Sequence, residues 1–453
     1  MKRVASTLLL LACLVDANAA TIEVNTTGSS DTGCTLEDAI VAANQNLAVG
    51  ACAAGQAPPV VDRIAFAIPP FDGSVKTISS DDLPAITGAV LIDGLTQPGS
   101  SCSGGFPTLR IAVTGPADAV GLQVSGADVT VRGVAIYGFM DQVFASSAGS
   151  GAQRLVLQCN VIGMFPDGTT AGANGSSAFS RGVVLSNTGG NLIGTDGDGV
   201  NDAAEGNWIA GNARQITIFS VIDPISGNRV SGNRIGTNAA GTAAPIGSIQ
   251  HYGIWLKEGV GRATIGGDGV GASDALEANV VAYQVATTSG DGGGIVVSDS
   301  STGVTIRGNS IFANTTLDID LAGFNDEGHI EPNDPLDADT GPNEFQNRPT
   351  IDSVTRVGAS VRIVGALASA ASADYEIELF GNARCNASGY GPGERPIAST
   401  AVHTDASGHA DFDITALDPA AASVTALATD VAGNTSEFSE CASVVLLRDG
   451  FEG

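Results

Sequence analysis

Apolar and polar residues alternate over short runs along most of the chain, and each run ends on glycine or asparagine. Examples are VTVRGVAIYGF at 129–139, LVLQCNVIG at 155–163 and VTIRGNSIFAN at 304–314. A period of two over a few residues predicts a strand with one buried face, and the Gly/Asn punctuation predicts a turn after it. Helical spacing is evident in LEDAIVAAN at 36–44, where Leu36, Ile40 and Ala43 share a face. The chain reads as all-β.

The pattern also repeats at long range. NVIG at 160–163 returns as NRIG at 233–236, RGVVL at 181–185 as YGIWL at 252–256, and EGNWIA at 205–210 as EANVVA at 277–282. The spacing is about 72 residues each time, too long for one strand–turn unit and too regular for compositional bias. Without long helices, such a unit suits a β-solenoid, and three turns of roughly 24 residues each is the expected division. Ile162, Ile193, Ile209, Ile235 and Ile265 are then expected to stack inside as aliphatic ladders. Asn160, Asn207, Asn233, Asn279 and Asn309 are expected at the corners, bonding the backbone of the next turn and adopting left-handed backbone.

Texture divides the rest of the chain. Residues 20–58 are expected to cap the open end of the solenoid, which would otherwise expose unpaired strand edges. The solenoid itself is assigned to 59–325 and an acidic, Pro-rich linker to 326–347. Residues 348–445 carry longer alternating runs such as YEIELFGNA and HADFDITA, which predict a small Ig-like β-sandwich. Residues 446–453 remain as a tail ending in DGFEG.

Charge narrows the partners. The formal net charge is −28, and lysine occurs only at positions 2, 76 and 257. That balance excludes nucleic acid as a ligand and favours divalent cations. The first 19 residues, with Lys2 and Arg3 before an apolar run and Ala17-Asn18-Ala19 after it, read as a secretory signal peptide. The run is too short to cross a bilayer, so no transmembrane span is expected. The protein is therefore expected to be secreted or displayed at the cell surface, with Cys13 as the less favoured lipid-anchor site. In an exported chain the six remaining cysteines suggest disulfides; Cys34–Cys52 and Cys385–Cys441 are the local pairs, while the fate of Cys102 and Cys159 stays open.

TIEVNTTGSSDTGCTLEDAIVAANQN at 21–46 resembles the CSLREA domain of exported bacterial proteins, although Cys34-Thr35-Leu36-Glu37-Asp38-Ala39-Ile40 departs from the usual charged pair. LPAITGAVLIDGLTQPG at 83–99, the NxIG and NxIxGN units, NDPLDADTGPNEFQN at 333–347 and ATDVAGNTSEFSEC at 428–441 resemble the same proteins. The resemblance implies a right-handed parallel β-helix, pectate-lyase-like in fold, and implies no particular activity.

Three places carry candidate chemistry. Asp196, Asp198, Asp202 and Glu205 form an acidic turn of hard oxygen ligands suited to calcium; the repeat keeps three of them as Asp268, Asp274 and Glu277 but replaces Asp198 by Val270. That difference assigns the calcium question to Asp198. A second acidic group, Asp334, Asp337 and Asp339 with Asp318, Asp320, Asn333 and Asn343 nearby in sequence, could hold calcium at the linker. The third place is YGIWLK at 252–257, where Ile254 and Leu256 should point inward and Trp255 and Lys257 outward beside His251 and Tyr252. An aromatic plane next to a base could hold an acidic polysaccharide, and Lys257 with Arg181 could serve a polysaccharide lyase or glycoside hydrolase. Nucleophile, P-loop and HExxH signatures are missing. The leading expectation is a non-enzymatic exported protein whose acidic face binds carbohydrate or another cell-envelope component.

Overall fold

The computed structural model describes residues 19–28, 33–147, 153–175, 179–221, 225–288, 290–323 and 328–446. Residues 1–18, which fall within the expected signal peptide and include Cys13, and the DGFEG ending lie outside the described residues.

Most strands belong to three parallel sheets of nine, eight and seven strands. The chain visits the sheets in rotation. Val156–Gln158 lies in the first, Val161–Ile162 in the second and Arg181–Ser186 in the third, before Leu192–Gly194 returns to the first. Each strand pairs in register with the strands one circuit before and after it, so Leu157 stands between Val131 and Ile193. This arrangement is consistent with a parallel β-helix.

Register converts the sequence pattern into stacked columns. On the first sheet Leu157, Ile193, Val230, Ile265 and Ile306 form one column. On the second, Ile162, Ile209, Ile235, Val281 and Ile311 form another. All are buried in one continuous core. Burying each such side chain stabilises the fold by about 2 kcal/mol relative to exposure, so a one-residue slip would be prohibitive.

Between the first and second sheets runs an asparagine ladder. The side-chain Oδ1 of Asn233 accepts from both N and Nδ2 of Asn207, and Asn233 donates in the same way to Asn279. Asn160–Asn207 and Asn279–Asn309 continue it in both directions. The asparagines themselves are not left-handed, contrary to expectation; at the tight corners the preceding residue is, with φ of 54° at Cys159, 72° at Gly232 and 65° at Gly308. That frees each asparagine to point its amide along the stack.

The 72-residue unit is two circuits, not three. Arg181 pairs with Arg214, and Arg214 pairs with Tyr252. Circuits are longer than expected because each carries an inserted loop, alternately between the second and third sheets (163–180, 236–251) and between the first and second (195–206, 267–278). Asn160 and Asn233 follow tight corners, whereas Thr195–Gly206 and Gly267–Ala278 intervene before Asn207 and Asn279.

At the N-terminal end Thr21–Val24 already pairs with Asp62–Phe66, so the first sheet begins inside the segment assigned to the cap. The helix Leu36–Gln45 follows, started by Thr35, whose side chain accepts from the Asp38 amide, and ended by left-handed Asn46. Its face of Leu36, Ala39, Ile40 and Ala43 joins the core beside that strand.

Beyond the parallel sheets lie two four-stranded sheets, antiparallel except where Val445–Leu446 runs beside Thr350–Val357. They share a separate core in which Val361 and Ile363 of one sheet join Ile377, Leu379 and Ala426 of the other. This unit grips the last circuits. Asn434 Oδ1 accepts from the Gly303 amide, Thr435 Oγ1 from the Ile306 amide and Glu378 Oε1 from the Gly308 amide.

Three disulfides join Cys34 to Cys52, Cys385 to Cys441 and Cys102 to Cys159. The last fastens a loop of an early circuit to the corner that starts the asparagine ladder. Among the described residues no helix is long and apolar enough to cross a membrane.

Candidate functional site

The third sheet brings the aromatic and basic candidates together. Ile254 and Leu256 are fully buried, while Trp255 and Lys257 are partly exposed on the opposite face. Tyr252 packs under Trp255, with ring centroids 4.7 Å apart and planes 13° from parallel. Lys257 Nζ lies 4.6 Å from the Trp255 centroid and the Arg214 guanidinium 4.7 Å from it. Arg214 also lies 5.7 Å from the Tyr252 ring and 5.9 Å from that of Phe179, which is 62% exposed. The indole Nε1 donates to Ser298 Oγ at 3.0 Å, which fixes the ring. His251 stands aside, its Nδ1 2.8 Å from the Val285 carbonyl.

Arg181 belongs to the same sheet, one strand beyond Arg214, and is held by Asp141 through two bonds of 2.6 and 2.7 Å. Lys257 pairs with Glu258 at 2.8 Å. Arg181 and Lys257 are therefore each engaged by a carboxylate. Sequence reasoning missed Arg214, the residue at the centre of the cluster. Dividing the repeat into three circuits concealed that ARQITIF is the strand between RGVVLS and YGIWLK.

The acidic turn is also gathered, but with a different membership. Asp196, Asp202 and Glu205 each place a carboxylate oxygen within 4.8 Å of the others. Asp198 stands outside this group, accepting from the Val200 amide at 2.7 Å. Burial raises the Glu205 carboxyl above its ordinary range, and the Asp196 and Asp202 charges raise it further. Glu205 also accepts from Thr195 Oγ1 at 3.0 Å, and Asp202 Oδ2 from the Gly199 amide at 3.1 Å.

The repeated turn gathers Asp268, Asp274 and Glu277 in the same way. There Arg229 intervenes, its Nη2 3.5 Å from Asp268 and 3.3 Å from Glu277. What separates the two copies is this arginine and not Asp198.

In the linker Asp334, Asp337 and Asp339 also converge. Asp337 is already engaged by Gln346, the Asn347 amide and Ser369. Burial raises its carboxyl, and Asp339 and Asp334 add to the effect. Asp318 and Asp320 do not join this group; Asp320 lies on the last strand of the third sheet, Ile319–Ala322, and Asp318 immediately precedes it. Asn333 bonds Arg348, and Asn343 bonds Val304 and Thr435.

No family model matches the chain, and no curated protein matches it significantly.

Proposed function

We propose that the protein is an exported, non-enzymatic right-handed parallel β-helix, pectate-lyase-like in fold, that binds an acidic polysaccharide along its third sheet. In this reading the N-terminal helix caps the solenoid, and the two C-terminal sheets are an Ig-like sandwich closing the other end. The signal-like N-terminus and three disulfides support export.

The observation that carries the binding reading is the Arg214–Trp255–Lys257 cluster. In a chain of net charge −28, two cations and stacked rings converge on one face. Aromatic faces provide apolar area for a sugar ring, and guanidinium forks match the geometry of a uronate carboxylate. The binding face is therefore basic and aromatic, whereas the acids gather at the corner loops. A lyase needs a free base beside its substrate, and both Lys257 and Arg181 are ion-paired.

Affinity measurements on a panel of uronic-acid and neutral polysaccharides test this. Binding of a polyuronate should weaken about tenfold in Trp255→Ala and in Arg214→Ala, and should fall with added salt. Equal binding of neutral polymers would contradict the proposal. Unsaturated products that disappear in Lys257→Ala would establish the lyase instead.

A further inference from the structure

We infer that the corner loop Thr195–Gly206 holds one calcium ion between Asp196, Asp202 and Glu205, and that its repeat holds Arg229 in place of the ion. The acidic group alone would not carry this. The second observation is Asp202, which is 4% exposed and whose Oδ1 is buried without a hydrogen-bond partner. Its other oxygen is already taken by the Gly199 amide. A buried carboxylate with one unpartnered oxygen, gathered with two further carboxylates within 4.8 Å, is stabilised by a counter-charge.

The fold supplies its own comparison. The repeated loop has the same three acids in the same cluster, and a guanidinium reaches two of them. In the first loop Arg229 meets only the Asp196 backbone carbonyl, at 3.3 Å from Nη1. Two clusters of one design thus differ in whether a guanidinium contacts the acids: the charge of Arg132 is felt at Glu205, but its guanidinium is held by Asp93. The two loops also touch: a side chain at Gly197 would meet the Glu277 carboxylate, so the Arg229-bound copy closes one side of the first. Three carboxylates on a loop that includes the helical turn Asp202–Glu205, completed by backbone carbonyls or water, suit the larger Ca²⁺ better than octahedral Mg²⁺.

Calorimetric titration of chelator-treated full-length protein with CaCl₂ tests the assignment, with MgCl₂ as the parallel arm. One equivalent of Ca²⁺ should bind, at least tenfold more tightly than Mg²⁺. Asp202→Asn should abolish it, and Asp274→Asn should leave it intact. Arg229→Gln should raise the stoichiometry from one to two, because the second cluster then lacks its resident cation. The inference is overturned if no Ca²⁺ binds, if binding survives in Asp202→Asn, or if the unaltered protein binds two. Terbium luminescence excited through Trp208, which lines the same small cavity as Asp202, reads occupancy independently of stability. Absence of that emission in the unaltered protein would equally overturn the inference.

Discussion

Replacing Asn233 by alanine is expected to destabilise the fold by about 3–5 kcal/mol, far beyond a typical single substitution. The side chain is 1% exposed and joins three circuits. Its Oδ1 accepts from both nitrogens of Asn207, and its Nδ2 donates to Ile193 O, Ser231 O and Asn279 Oδ1. Alanine strands two donors of Asn207 in a dry corner, each costing about 1–3 kcal/mol, and ends the ladder in both directions. Aspartate in its place could still accept from Asn207 but could not donate onward, and it would bury a charge beside carbonyl oxygens. Denaturant unfolding of Asn233→Ala checks the expectation. A loss within about 0.5 kcal/mol, the ordinary surface value, would show that the ladder does not hold the circuits together.

The second large effect concerns pH. Asp318, Glu378 and Glu437 are almost fully buried where the parallel sheets meet the C-terminal unit. Burial pushes Asp318 and Glu378 up to about 7 and Glu437 up to about 8. Asp318 faces Asn314 and Asn386; Glu378 faces Arg307, Glu376 and Asp274; Glu437 faces Asp320 and Arg348. Folded carboxyls that bind protons more tightly than unfolded ones stabilise the folded state at low pH. That contribution is complete below about pH 4 and is lost as pH rises through 7 to 8. The melting temperature should therefore be higher at pH 5.5 than at pH 8.5, by an amount corresponding to roughly 1–3 kcal/mol per group. Net negative charge acts in the same direction, so the decisive measurement is the slope in Glu378→Gln and Glu437→Gln. Each should flatten the profile between pH 6 and 8.5; unchanged slopes would place the pH dependence elsewhere.

What the sequence made legible was whatever is set by neighbours a few residues away. Alternation of period two placed Ile162, Ile193 and Ile265 inside, and the recurring asparagines located the corners. Helical spacing over 36–44 located the helix Leu36–Gln45. The number of circuits in a repeat was hidden because corner loops differ in length, so residue spacing does not measure strand spacing. That error concealed Arg214, which lies midway between two strands that were correctly matched. The partner of the second acidic turn was equally invisible, since Arg229 reaches it from the circuit before. Asp198 attracted attention because it is unique to one copy, yet its carboxylate serves the Val200 amide. Cys102 and Cys159 are only one residue farther apart in sequence than Cys385 and Cys441, but they lie on different circuits and meet only through the packing of early circuits.

From Val156 to Arg307 tight and loop-bearing corners alternate, which makes the two-circuit unit the natural quantum of length in that part of the molecule. Removing residues 161–233 would join Asn160 directly to Arg234 and present the ladder with an equivalent corner, so the shortened chain should fold with cooperative unfolding. Removing the single circuit 229–263 would instead put the two acidic loops on adjacent layers about 4.8 Å apart. Comparing unfolding of the two deletions would show whether growth of this architecture proceeds in pairs, as duplication of a gene segment encoding two circuits would require.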